Sequence, residues 1–136
     1  MLLKGVFKMK EISFLLLALI FVFTGCAEKD NSAPYVVNTF PVNGSQDVDS
    51  SVNELSVTFN EVMMDGNWSW AYTKISEFPT MRGDPHYSED FMTNILPVKL
   101  EPNKNYVIWL NSEKFQNFKD RSGNPLVPFK LAFKTR

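Results

Sequence analysis

The 136-residue chain has one cysteine, Cys26, and one histidine, His86. A lone cysteine excludes an intrachain disulfide. A lone histidine means that any Ser–His–Asp triad would have to be built on His86 alone. Asp84, Glu89 and Asp90 lie near it, but without metal-ligand spacing, so the segment reads as a solvated loop. No Gly-x-Ser-x-Gly elbow, P-loop or HExxH motif occurs, which removes the common signatures of hydrolases, nucleotide binders and zinc proteases. An excess of basic charge is also lacking: 14 Lys and Arg face 15 Asp and Glu. The one basic cluster after residue 25, Lys114, Lys119, Arg121, Lys130, Lys134 and Arg136, is interrupted by acids. A nucleic-acid binder needs a clustered basic surface to displace counterions, so that class is excluded. Internal repeats and long helical periods are absent as well.

The chain does have a strongly apolar start. Lys4, Lys8 and Lys10 precede an apolar run over residues 12–23 that only Ser13 breaks. A positive segment followed by such a run is a signal peptide, and the run is short of the roughly 20 residues of a membrane-spanning helix. It ends in Phe23-Thr24-Gly25-Cys26, which resembles the lipobox of bacterial lipoproteins. The resemblance implies cleavage between Gly25 and Cys26 and covalent diacylglycerol and palmitate on Cys26. Two or three acyl chains anchor stably where one does not. Lipidation would also remove an exported thiol and leave no Cys–His dyad. Met9-Lys10 before the apolar run would be the more typical lipoprotein start, so Met1 and Met9 both stand as translation starts. The expected organisation is a signal helix over residues 1–25, the lipidated cysteine and a polar tether over residues 26–32, and one domain over residues 33–136. Of the whole-chain charges, Lys4, Lys8, Lys10 and Glu11 fall in the signal, leaving 11 basic and 14 acidic side chains in the mature part.

After the tether, short alternating runs are separated by turn residues. Residues 34–40 read as extended, and Asn43-Gly44 as a turn. Leu55, Val57 and Phe59 share one face of the next strand. A strand over residues 68–73 puts Trp68, Trp70 and Tyr72 on one face. A loop follows over residues 74–85. Residues 91–100 form one or two strands interrupted at Pro97. Tyr106, Ile108 and Leu110 share a face, opposite Val107 and Trp109. Residues 112–118 are expected to make a helical turn capped by Ser112. Residues 126–135 close the chain with Leu131 and Phe133 inward. About seven strands in this length fit an all-β, immunoglobulin-like antiparallel sandwich. Leu100, Pro102 and Tyr106 have the spacing of a tyrosine corner, in which the Tyr hydroxyl bonds to backbone a few residues upstream.

The ordered set of segments resembles the bacterial Ig-like domain of the S-layer-protein (SbsA) type. The matching pieces are Pro34-Tyr35-Val36-Val37, Phe40-Pro41-Val42-Asn43-Gly44, Asp47-Val48, Ser56-Val57-Thr58-Phe59-Asn60-Glu61 with Met64, Leu100-Glu101-Pro102 with Asn105-Tyr106, Asp120 with Gly123-Asn124, and Phe133-Lys134-Thr135. Trp68-Ser69-Trp70, Phe78-Pro79 and Trp109-Leu110-Asn111 resemble a tryptophan-rich subgroup. The resemblance implies a sandwich used as a spacer, adhesion or accessory module in exported proteins, without shared catalytic residues.

The candidate ligand platform is Trp68, Trp70 and Tyr72, spaced about 7 Å along a strand, with Trp109 as a further exposed ring. The reading favoured for Trp68, Trp70 and Tyr72 is nevertheless core, since sandwiches bury large aromatics between their sheets. Asp47, Asp49, Asp120 and Asn124 have the oxygens calcium takes, but turn chemistry accounts for them, and no metal is assigned. The expected function is a non-enzymatic, lipid-anchored envelope or surface module for protein interaction or adhesion. The alternative is a carbohydrate-binding lipoprotein. Expected partners are the membrane, through the lipid, and envelope proteins or glycans.

Overall fold

The computed structural model describes Gly25 and residues 27–136; the signal segment, the Met9 start and Cys26 lie outside the described residues. The described residues form eight strands: β1 Val36–Phe40, β2 Glu54–Phe59, β3 Trp70–Ala71, β4 Thr80–Met81, β5 His86–Tyr87, β6 Thr93–Lys99, β7 Asn105–Leu110 and β8 Phe129–Lys134. They form two antiparallel sheets. One has the order β1-β2-β6-β4, with β5 also paired to β6; the other has the order β3-β7-β8.

Alternation builds the interior. On β2 the side chains of Leu55, Val57 and Phe59 point inward and are fully buried. On β6 these positions are Asn94, Leu96 and Val98, on β7 Tyr106, Ile108 and Leu110, and on β8 Leu131 and Phe133. Each large aliphatic or aromatic side chain removed from water contributes on the order of 1.5–3 kcal/mol. The interior falls into two adjoining clusters, one around Leu96, Ile108 and Leu131, the other around Phe59, Met63, Phe118 and Leu126, with Trp70 and Phe129 touching both.

Several local expectations change. There are eight strands rather than about seven, because the supposed loop over residues 74–85 contains β4 and a 3-10 helix, Ile75–Glu77. The strand expected over residues 68–73 shrinks to Trp70–Ala71, and the last strand begins at Phe129. Residues 112–118 form no helix; Ser112 Oγ accepts the Phe115 N–H and the Ser112 N–H donates to the Phe115 carbonyl, making a tight turn.

Residues 93–99 are one strand that runs through Pro97. The reason is geometric. The Val98 N–H donates toward β2, at the Asn53 carbonyl, so the next position inward along the strand faces the other side. There the missing N–H of Pro97 meets a gap between β4, which ends at Met81, and β5, which starts at His86. Only the Pro97 carbonyl is needed on that side, and it accepts the Arg82 N–H.

The two sheets differ at their edges. β8 is covered by residues 43–48: Gly44 N–H donates to Ala132 O, Asn43 Oδ1 accepts Ala132 N–H, and Lys134 is bonded on both sides by Ser45 and Val48. Gly44 makes this path possible with φ +87°, a conformation that costs other residues strain. β1 is the outer strand of the larger sheet, with a register irregularity between Val36 and Asn38.

Candidate functional site

The tryptophans separate into inward and outward groups. Trp70 pairs with Leu110, and both point into the core. Its Nε1–H donates to Asn94 Oδ1 at 2.8 Å, tying the small sheet to the large one through the interior. Trp68 precedes the strand and packs, half-buried, on the second core cluster. Trp68, Trp70 and Tyr72 still line one groove of about 450 Å³ with Met81, Pro85 and Phe115, but they make no flat platform: Trp68 and Trp70 are half-buried on the core, and only Tyr72 stands more than half exposed.

Trp109 and Tyr72 do come together. Trp109 pairs with Ala71 on the outer side of the small sheet. A groove of about 530 Å³ there is lined by Tyr72, Trp109, Phe115 and Pro128, with Ser112, Glu113 and Lys114 at its rim. Tyr72 and Phe115 are each 51% exposed. Tyr72 also leans on Phe78, with ring centroids 5.3 Å apart. Phe115 belongs to this group and carries no sequence signal, because it sits on a turn outside any alternating run. The outer positions of β8 are Lys130, Ala132 and Lys134, since Leu131 and Phe133 are buried. That placement was readable from the inward setting of Leu131 and Phe133. None of β3, β7 and β8 carries an acidic residue.

One end of the sandwich is closed by buried amides. Asn111, fully buried at the end of β7 with φ +58°, donates from Nδ2 to the carbonyls of Phe118 and Leu126, and its Oδ1 accepts the Phe118 N–H, all at 2.9–3.1 Å. Beside it, buried Asp120 accepts from the backbone and side-chain nitrogens of Asn124. The amino-terminal segment is held at this end. Asn124 Nδ2 donates to the Asp30 carbonyl at 3.0 Å, Val127 N–H to the Pro34 carbonyl at 3.4 Å, and Asn60 bonds both backbone groups of Tyr35.

The other end has the tyrosine corner. The buried Tyr106 hydroxyl accepts the Glu101 N–H at 2.8 Å, and Thr135 Oγ1 donates to the Glu101 carbonyl at 2.6 Å. Leu100 is buried beneath it and Pro102 is exposed in the turn. Arg136 forms exposed ion pairs with Asp49 at 2.7 Å and Asp47 at 3.7 Å. Asp47 and Asp49 thus lie at the opposite end from Asp120 and Asn124, so these four oxygen-bearing residues do not converge. Carboxylate oxygens of Asp30, Glu61 and Asp120 do approach within 4.8 Å of one another. Burial raises the Glu61 carboxyl above its usual range, and the charges of Asp120 and Asp30 add to this against a lowering hydrogen bond from Asn60. Burial likewise pushes the Tyr87 hydroxyl up. His86 is exposed on β5, its Nδ1 3.4 Å from the Asp84 carbonyl.

A search among curated proteins finds no relative. Among solved structures, the chain is similar to the S-layer protein rSbsC(31-844) and to domains 1–6 of the surface layer protein SbsC, each with 18% identity and a TM-score of 0.43 over 76% of this chain. In both cases the match spans only 14% of the other protein. The model of the bacterial Ig-like domain matches residues 30–135, nearly the whole described sandwich. This chain belongs to the family of bacterial Ig-like domains.

Proposed function

We infer that the protein is a non-catalytic, lipid-anchored module of the bacterial cell envelope that engages a protein partner along the free edge of its larger sheet. The observation that carries this is the character of β1. It is the outer strand, it bears no charged residue, and Tyr35, Val37, Phe40 and Val42 on and beside it are each more than half exposed (52–64%). An uncharged apolar edge is a template for strand addition. Membership of an Ig-like family supports an envelope or surface setting. The lipid anchor rests on Phe23-Thr24-Gly25-Cys26. The alternative of a carbohydrate-binding lipoprotein is weakened because Trp68 and Trp70 are half-buried on the core, which leaves Tyr72 as the one ring of the three that is more than half exposed.

Photo-crosslinking in intact cells tests the reading. A crosslinker at Val37 should yield an adduct within an extended segment of one partner, and a crosslinker at Thr80 on the opposite edge should not. Equal labelling at both positions, or none at Val37, overturns it. Separately, Cys26→Ser should release the protein from the membrane fraction, and retention there would rule out the anchor.

A further inference from the structure

The tether is shorter than its sequence suggests. Asp30 is bonded to Asn124, and Pro34 is buried and bonded to Val127. Only three residues lie between Cys26 and Asp30, four Cα–Cα steps with a reach of at most about 14 Å. Val127 adjoins Pro128, which lines the Tyr72–Trp109–Phe115 groove. A bilayer holding lipid on Cys26 therefore lies within reach of the outer face of the small sheet.

That face has the chemistry of a membrane–water interface. Tyr72, Trp109 and Phe115 offer rings, two of them with a polar atom, as favoured at headgroup depth. Lys114 lines the groove, Lys130 stands opposite Trp109, and Lys134 lies further along the same outer face of β8, opposite Asn105. None of the three is in an ion pair among the described residues. Glu113 is the one acid at the groove rim, so the face is net basic on a mature chain that is net acidic. Lysines close to an anionic surface are attracted to it, about 1 kcal/mol each.

We propose that the outer face of the three-stranded sheet lies against the anionic bilayer that carries the anchor, with Trp109 at headgroup depth. This rests on lipid at Cys26. It leaves the β1 edge, on the other sheet, free for a partner.

The test uses the full lipidated chain, reconstituted in vesicles of phosphatidylcholine and phosphatidylglycerol with brominated acyl chains. Brominated chains should quench the part of the tryptophan emission that Trp109→Phe removes. Lys114→Glu combined with Lys130→Glu and Lys134→Glu should lose that quenching while the protein still floats with the vesicles and keeps its near-ultraviolet circular dichroism. Should this triple variant misfold, raising salt on the unaltered protein should produce the same loss. A lipidated, floating protein whose Trp109 is unquenched overturns the docking and leaves the anchor intact. A Cys26 peptide of unmodified mass, with no flotation, overturns both. Shielding of Trp109 from iodide by a soluble glycan, without quenching by brominated lipid, reassigns the face to sugar and overturns the docking.

Discussion

The two ends of the sandwich are closed by different chemistry. Where the amino-terminal segment is held, Asn111 and Asp120 are buried and their hydrogen bonds run inside the protein. At the far end, Tyr106 and Thr135 fix one turn from within, but Arg136, Asp47 and Asp49 meet in solvent. The contrast teaches where stability resides. A buried polar group that loses its partners keeps its full desolvation cost, whereas an exposed ion pair exchanges its partner for water at little loss.

The largest expected effect is at Asn111. Asn111→Ala removes three internal hydrogen bonds and leaves the Phe118 N–H and the Leu126 carbonyl without partners, while the Phe118 carbonyl keeps the Leu126 N–H, at a cost of about 2–4 kcal/mol. Urea unfolding should show a lower midpoint with an unchanged slope. Asn111→Gly sharpens the comparison, because it tolerates the left-handed backbone but cannot make the bonds. If the glycine variant is as stable as the parent, the backbone conformation rather than the amide network matters.

At the far end, Tyr106→Phe should cost on the order of 1 kcal/mol or somewhat more, since it strips the acceptor from the Glu101 N–H. A thermal midpoint equal to the parent's would remove the corner as a fastening.

The smallest effect is in pH, and it has opposite sign at the two ends. The Asp49 carboxyl is held well below its usual range by Arg136, with help from Ser51. Its contribution is therefore present above the ordinary value of 3.8 and is lost as pH falls below it. Glu61 is raised above its ordinary 4.5, chiefly by burial. Its contribution is present at and below that value and is lost as pH rises through the raised one. Stability profiles of Asp49→Asn and Glu61→Gln against the parent should depart in opposite directions, the first as pH falls below about 4 and the second as pH rises above about 4.5. Departures of the same sign would contradict the assignment.

Much of the fold was legible because alternation is a backbone property. Leu55, Val57 and Phe59, or Tyr106, Ile108 and Leu110, face inward wherever their strands pair. The spacing of Leu100, Pro102 and Tyr106 specified one turn in the same way. How far each ring of the aromatic cluster is exposed was not legible, because alternation over residues 68–73 holds only if the strand runs its full length. It stops after two residues, and Trp70 is claimed by a buried amide on another strand. That amide did leave a trace, since Asn94 keeps step with Leu96 and Val98 on the inward face of β6. Asn111 left none beyond its place after an alternating run. Which turn carries Phe115 to the groove depends on packing between loops, which period and propensity do not encode.

The cover that residues 43–48 place over β8 bears on self-assembly. Continued stacking of copies through their sheets would require two long free edges per molecule, one to receive and one to offer. Here β8 is sealed, and β3, β4 and β5 are two residues each. Among the described residues β1 is the one long free edge, so a second copy added there would use up both molecules' edges and close a two-fold pair rather than extend a fibre.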